Sequence, residues 1–241
     1  MIRTIDTAGM DFTDLNRLLR SWEGDAELLN CLGQRFIAAG AEGRHFTITG
    51  TPGNALGAYL NGAAIEVFGN AQDAVGDTMN AGTIVVHGSI GDATGYAMRG
   101  GEIYIQGSAG YRAGVHMKAY REKLPVMVIG GRVGSFLGEY QAGGVIIVLG
   151  LHTDGKKITG YFPCTGMHGG RVFLRGDCRD IEFPAQVTAA PAAPSDKASI
   201  RPYVEKYCSL FGLDPETIMA GDFTLITPDS SNPYHQMYVP N

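Results

Sequence analysis

Three groups of residues carry side chains suited to chemistry. His116, Lys118 and Arg121 lie close together and supply positive charge, as a site for an anionic group would need. The same residues suit a solvated loop or a protein interface, and that reading is favoured. His152, Cys164 and His168 are metal-ligand types, but twelve and four residues separate them along the chain. Structural zinc sites usually use tighter ligand pairs, so a metal is not expected. Cys164 near His168 also pairs a nucleophile type with a base type. No oxyanion-stabilising element accompanies them, and catalysis there is not favoured. Asp73, Asp77 and Asp92 fall in corner loops, where Asp favours turns. Gly-rich corners cradle phosphate when they lead into a helix. Here they lead into more strand, which argues against a Walker or Rossmann loop. The cysteines, Cys31, Cys164, Cys178 and Cys208, are scattered without a C-x-x-C pair. Free thiols in a cytoplasmic protein, and no iron–sulfur cluster on this chain, are the expectation.

Any such groups must be positioned by a repeat. Short apolar segments end in Gly: HFTITG at Gly50, IEVFG at Gly69, IVVHG at Gly88, IYIQG at Gly107, VMVIG at Gly130, IIVLG at Gly150 and VFLRG at Gly176. The intervals are 19, 19, 19, 23, 20 and 26 residues. Four residues before the Gly stand Phe46, Ile65, Ile84, Ile103, Val126, Ile146 and Val172. Two before it stand Ile48, Val67, Val86, Ile105, Val128, Val148 and Leu174. Apolar residues at period 2 predict strands with one face inward. Further Gly follow in register: Gly50-Gly53-Gly57, Gly88-Gly91-Gly95 and Gly107-Gly110-Gly114. Gly131-Gly134-Gly138 repeats the triplet one residue later, and the second coil keeps Gly69 and Gly76. Gly at recurrent corners supplies positive φ or close backbone approach.

A chain that turns the same corners about every nineteen residues is a solenoid. Its coils, about 4.8 Å apart, are stable only when stacked. Leucine-rich repeat positions are absent, and the corners do not fit a left-handed hexapeptide helix. The expected fold is an all-β solenoid, a right-handed parallel β-helix of about seven coils with small helical N- and C-terminal appendages.

Composition fits this reading. Apolar residues make up 44% of 241, and 35 are Gly, roughly double the usual 7%. The formal charge of −5 gives no footprint for nucleic acid or an anionic membrane. No apolar run is long enough to span a bilayer. A helical cap is expected over 1–29, where Phe12, Leu15, Leu18, Leu19 and Trp22 follow helical spacing behind Asp11 or Thr13. The β-helix is expected over 30–182, and a Pro/Ala-rich connector over 183–199. A helical segment and arm are expected over 200–241, with Gly212 as C-cap and Asp214-Pro215-Glu216 opening a second helix. The outward columns turn apolar at Met127, Ile129, Ile147 and Leu149. Such strands need a cover, either the C-terminal segment or another subunit. With His116, Lys118, Tyr120, Arg121 and His168 on the lengthened coils, they form the candidate partner interface.

The run GTPGNALGAYLNGAAIEVFGNAQDAVGDTMNAGTIVVHGSIGDATGYAMRGGEIYIQGSAGYRAGVHMKAY, with PVMVIGGRVGSFLGEYQAGGVIIVLGL and TGMHGGRVFLRG, resembles the GXGXG domain of glutamate synthase. The same family includes one of the subunits of formylmethanofuran dehydrogenase. The resemblance covers roughly residues 30–180. NAQD, HMKAY and GEYQAGG favour the glutamate synthase branch. In glutamate synthase an amidotransferase domain releases ammonia from glutamine, and an FMN and iron–sulfur barrel uses it to convert 2-oxoglutarate to glutamate. The β-helix domain joins the two and carries no catalytic residue. The resemblance therefore implies a scaffold subunit for glutamate biosynthesis, holding no cofactor itself. Its partners would be a glutamine amidotransferase subunit and an FMN/iron–sulfur subunit. The alternatives are a scaffold in formylmethanofuran dehydrogenase or N-methylglutamate synthase, or an independent β-helix enzyme.

Overall fold

The structure, a computed structural model, describes residues 2–229. Nine parallel strands lie side by side in chain order: β1 (Ile2–Asp6), β2 (Asp25–Leu32), β3 (His45–Thr51), β4 (Asn61–Phe68), β5 (Ala81–Val86), β6 (Glu102–Ile105), β7 (Val126–Ile129), β8 (Ala142–Val148) and β9 (Gly169–Arg175). Each is one turn beyond the last, so the sheet is a parallel β-solenoid. Helix α1 (Phe12–Ser21) lies between β1 and β2, with Asp11 accepting from the Thr13 N–H as N-cap. Its Leu15 and Leu19 join the interior beside Leu28 and Phe46. The span 1–29 thus holds a strand, a helix and most of a second strand rather than helix alone.

Strand columns run through the interior without a break. Phe46 pairs with Ile65, Ile65 with Ile84 and Ile84 with Ile103. Ile48, Val67, Val86 and Ile105 form the neighbouring column. Each of these side chains is buried, so each contributes on the order of 1.5–3 kcal/mol. The backbone approach is close where strand meets corner. A Cβ on Gly69 would stand 2.1 Å from the Gly50 carbonyl oxygen, so any side chain there would push two coils apart.

The expected register fails in the fifth coil. Ile103 pairs with Met127 and Ile105 with Ile129, so these two point inward while Val126 and Val128 point outward. The repeat glycine of this coil is Gly131, whose N–H donates to the Gly107 carbonyl. Gly130 is an extra glycine with its own reason: the Tyr207 hydroxyl occupies the place of its side chain, 1.9 Å from where a Cβ would be. In the sixth coil Ile146 and Val148 face inward, and Ile147 and Leu149 face outward, as expected.

The corners between sheet strands have an unusual backbone. Three alternate residues per coil have positive φ, as in Ala55, Gly57 and Tyr59 or Arg112, Gly114 and His116. A left-handed L-residue costs roughly 1–2 kcal/mol. Stacking holds it there: the Ala55 N–H donates to the Asp73 carbonyl, Gly57 to Ile37 and Tyr59 to Asp77. The Asp73 carboxylate accepts from the Asp92 N–H, and Asp92 accepts from Tyr111. These aspartates are ladder elements that satisfy the backbone of the next coil.

The C-terminal segment folds back over the sheet. The span 183–199 carries strand β10 (Val187–Pro191) and the first turn of helix α2 (Pro194–Phe211), and so is no plain connector. Pro191 sits at the end of an edge strand and Pro194 at the helix start, both places that tolerate a missing N–H. Gly212 closes α2 in the left-handed region, and Asp214 caps helix α3 (Pro215–Met219). Strand β11 (Phe223–Pro228) pairs antiparallel with β9 and covers that edge of the sheet, with β10 beyond it. The arm expected beyond β11 lies largely outside the described residues.

Candidate functional site

The outward apolar face is covered within the chain. Ile200, Val204, Tyr207 and Cys208 of α2 pack on Val126, Val128, Ile147, Leu149 and Phe173. The Tyr207 hydroxyl donates to the Gln106 carbonyl at 3.2 Å. The Lys206 ammonium pairs with Glu102 and lies 5.2 Å above the Tyr104 ring. Met127, Ile129, Ile147 and Leu149 are all 0% exposed. The first two line the solenoid interior and the last two lie under α2, so none is available to a partner.

Cys164 is likewise an interior residue. It occupies the column held by Gly57, Gly76, Gly95, Gly114 and Gly138 in earlier coils, since its N–H donates to Leu137 as Gly138 donates to Ala113. In the first four of those coils an inward Cβ would meet the strand side chains of a later coil, such as Ile103 Cδ1 at 2.6 Å from Gly76. Cys164 falls in the last such corner, and its side chain fills the interior. Burial pushes its thiol up to about 12, far from the range of a working nucleophile. His168 is half-buried, with Nδ1 3.0 Å from the Gly166 carbonyl, and His152 is exposed. Among the described residues no three His, Cys, Asp or Glu side chains converge to hold a metal ion.

Several open clefts lie on the described surface. One of about 800 Å³ lies against β10 and β11, lined by Cys178, Arg179, Lys197 and Phe223. The Lys197 ammonium there donates to the Gly221 carbonyl. Another, of about 560 Å³, is lined by Arg132, Lys156, Lys157, Tyr161 and Phe162 of the longest excursion. Lys157 pairs with Asp180 at 3.2 Å. Neither cleft gathers a nucleophile, a base and oxyanion donors.

The remaining expected residues lie together on one exposed corner. The His116 ring stacks on Tyr140 with centroids 5.2 Å apart and meets Tyr96 edge-on at 5.8 Å. Lys118, Tyr120 and Arg121 are exposed, and the Arg121 guanidinium lies 5.2 Å over the Tyr120 ring. Two further cations join them. The Lys118 N–H donates to Met98, which places Lys118 one coil above Arg99. Lys123 packs against Gly100, with its Cβ 2.9 Å from where a Gly100 Cβ would stand. Arg99 is legible in the sequence, because it stands one nineteen-residue step before Lys118. Lys123 needed the turn that pairs it with Tyr120.

Comparison with known proteins agrees with this architecture. The family model described as the GXGXG motif matches residues 23–229. The uncharacterized protein MJ1350 of Methanocaldococcus jannaschii is 41% identical over 251 residues, covering 98% of this chain and 96% of that one. A chain in the crystal structure of the formyltransferase/hydrolase complex (FhcABCD) from Methylorubrum extorquens, solved with methylofuran, is similar in fold. It superposes with a TM-score of 0.62 at 16% identity, over 92% of this chain and 89% of that one. By its repeat, its glycine columns and the length of the match, this chain belongs to the GXGXG-motif family.

Proposed function

We propose that this chain is a non-catalytic scaffold subunit of a multi-subunit oxidoreductase complex. One observation carries the reading: the solenoid interior is packed shut by apolar columns, the four cysteines are buried, and no three His, Cys, Asp or Glu side chains converge among the described residues. Membership of the GXGXG-motif family supports it. The motifs NAQD, HMKAY and GEYQAGG favour glutamate synthase as the complex. In that setting the chain joins a glutamine amidotransferase subunit to a subunit that holds FMN and an iron–sulfur cluster. A second reading rests on the fold neighbour, which comes from a formyltransferase/hydrolase complex. There the chain would scaffold a one-carbon enzyme of the formylmethanofuran type.

The test is purification of the native complex through an affinity tag on this chain, followed by identification of its subunits. Glutamine-dependent formation of glutamate by that complex, lost when this chain is omitted from reconstitution, is expected. Formyl-transfer or molybdenum- or tungsten-containing subunits instead would establish the second reading. Turnover by the isolated chain would refute both.

A further inference from the structure

Charge on this molecule is unevenly spread. The chain carries −5 overall, yet Arg99, Lys118, Arg121 and Lys123 gather at one corner of the fourth and fifth coils. Lys118 is stacked directly above Arg99, and Lys123 lies against Gly100. All four are exposed, and none forms an ion pair with a described carboxylate. Glu122 is the acidic residue within this loop. Stacked like charges repel, and a strand ladder with about 4.8 Å spacing keeps them close whatever the side chains prefer. Arg121 has φ +55 in a turn closed by backbone bonds between Tyr120 and Lys123. Of the chain's other cations, Arg112 pairs with Glu139, Lys157 with Asp180 and Lys206 with Glu102.

Beside the cations lie apolar groups. Tyr120 is 49% exposed, Leu124 42% and Tyr96 41%, and the His116 ring stacks on Tyr140 and meets Tyr96 edge-on. Tyrosine next to arginine is the composition of protein interfaces. Screening confines the field of the patch to roughly 8 Å at physiological salt. Beyond it the negative charge of the chain opposes a long polyanion.

We infer that this corner docks an acidic surface segment of a partner subunit, with Arg99, Lys118, Arg121 and Lys123 receiving carboxylates and the tyrosines supplying apolar contact. The inference rests on the scaffold reading and adds the face and the partner chemistry to it. Opposed charges at an interface rim act mainly on association rate and on its salt dependence.

The test uses the complex purified through this chain. A carbodiimide couples amines to carboxylates only where they touch, and mass spectrometry then locates the links. Lys118 or Lys123 joined to an Asp or Glu of another subunit is expected. In parallel, R99E/K118E/R121E/K123E is rebound to partner subunits released from that complex. Its association should be at least about tenfold slower than wild type at low salt, the two converging at high salt. Unchanged thermal melting would show that the variant folds. Subunits that co-purify without any link to this corner, and rebind the variant at the wild-type rate, would overturn the docking face and leave the scaffold reading standing. Absence of any co-purifying subunit would overturn both. Binding of the chain to an oligonucleotide or to phosphatidylserine vesicles, lost in the variant and without inter-subunit links, would also overturn it.

Discussion

Two glycine-to-alanine substitutions separate backbone strain from coil spacing. Gly62 has φ +117 and nothing within 4 Å of a Cβ, so Gly62→Ala meets strain alone. Such a conformation costs an L-residue about 1–3 kcal/mol. Gly69 has φ +150, and its Cβ would stand 2.1 Å from the Gly50 oxygen. A real Cβ keeps at least 3.0 Å from its neighbours, so β3 and β4 would have to part by about 0.9 Å at that point. Overpacking of that kind adds about 1–3 kcal/mol to the strain, for a total near 4 kcal/mol. At about 2–4 °C per kcal/mol for a chain of this length, Gly62→Ala should lower the melting temperature by about 4–8 °C and Gly69→Ala by about 8–16 °C. Differential scanning calorimetry of the two variants beside wild type measures this. A Gly69→Ala protein melting no lower than Gly62→Ala would refute the argument that coil spacing, rather than φ, demands glycine there.

Two further substitutions test the interior and its chemistry. Val86→Asp and Met127→Asp each bury an unpaired carboxylate in a 0% exposed column, at a cost of several kcal/mol; either should abolish cooperative melting, and a wild-type denaturation curve for Met127→Asp would refute its burial in the interior column. Cys164 should resist alkylation in the native state at pH 8 and react on unfolding. Burial raises its thiol from 9.0 to about 12, so its contribution to stability is whole below pH 9 and is lost as pH rises from 9 towards 12. Melting temperature measured across that range should fall less steeply in Cys164→Ala, and identical slopes would contradict the assignment.

The docking of α2 shows why composition can point to a covered face without identifying the cover. Outward apolar residues Ile147 and Leu149 announce a lid. Only packing shows that Val204 and Tyr207 provide it, because α2 begins 45 residues after Leu149 and local pattern carries no information about so distant a partner. The strands β1 and β2 escape sequence reading for a related reason. Cys31 stands in β2 where β3 has Gly50, and the two strands are held by pairing, β1 on β2 and β2 on β3, rather than by any local signal.

The sequence by itself determined the solenoid, its period and its two interior columns, since every coil must present apolar residues at period 2 and turn at the same corners. It also carried the means to place Met127 inward: the triplet Gly131-Gly134-Gly138 is displaced by one residue, and the strand is displaced with it. What hid this was Gly130, whose purpose is the Tyr207 hydroxyl of a helix far along the chain. Tertiary structure alone decided the left-handed Ala55 and Tyr59, which local preference disfavours and the ladder enforces. It alone also decided the surface. A period of nineteen sets Lys118 above Arg99, but the fifth-coil loop has no counterpart in its neighbours. Its fold, and the cations Arg121 and Lys123 that it brings to the same corner, follow from contacts made only once the coils are stacked.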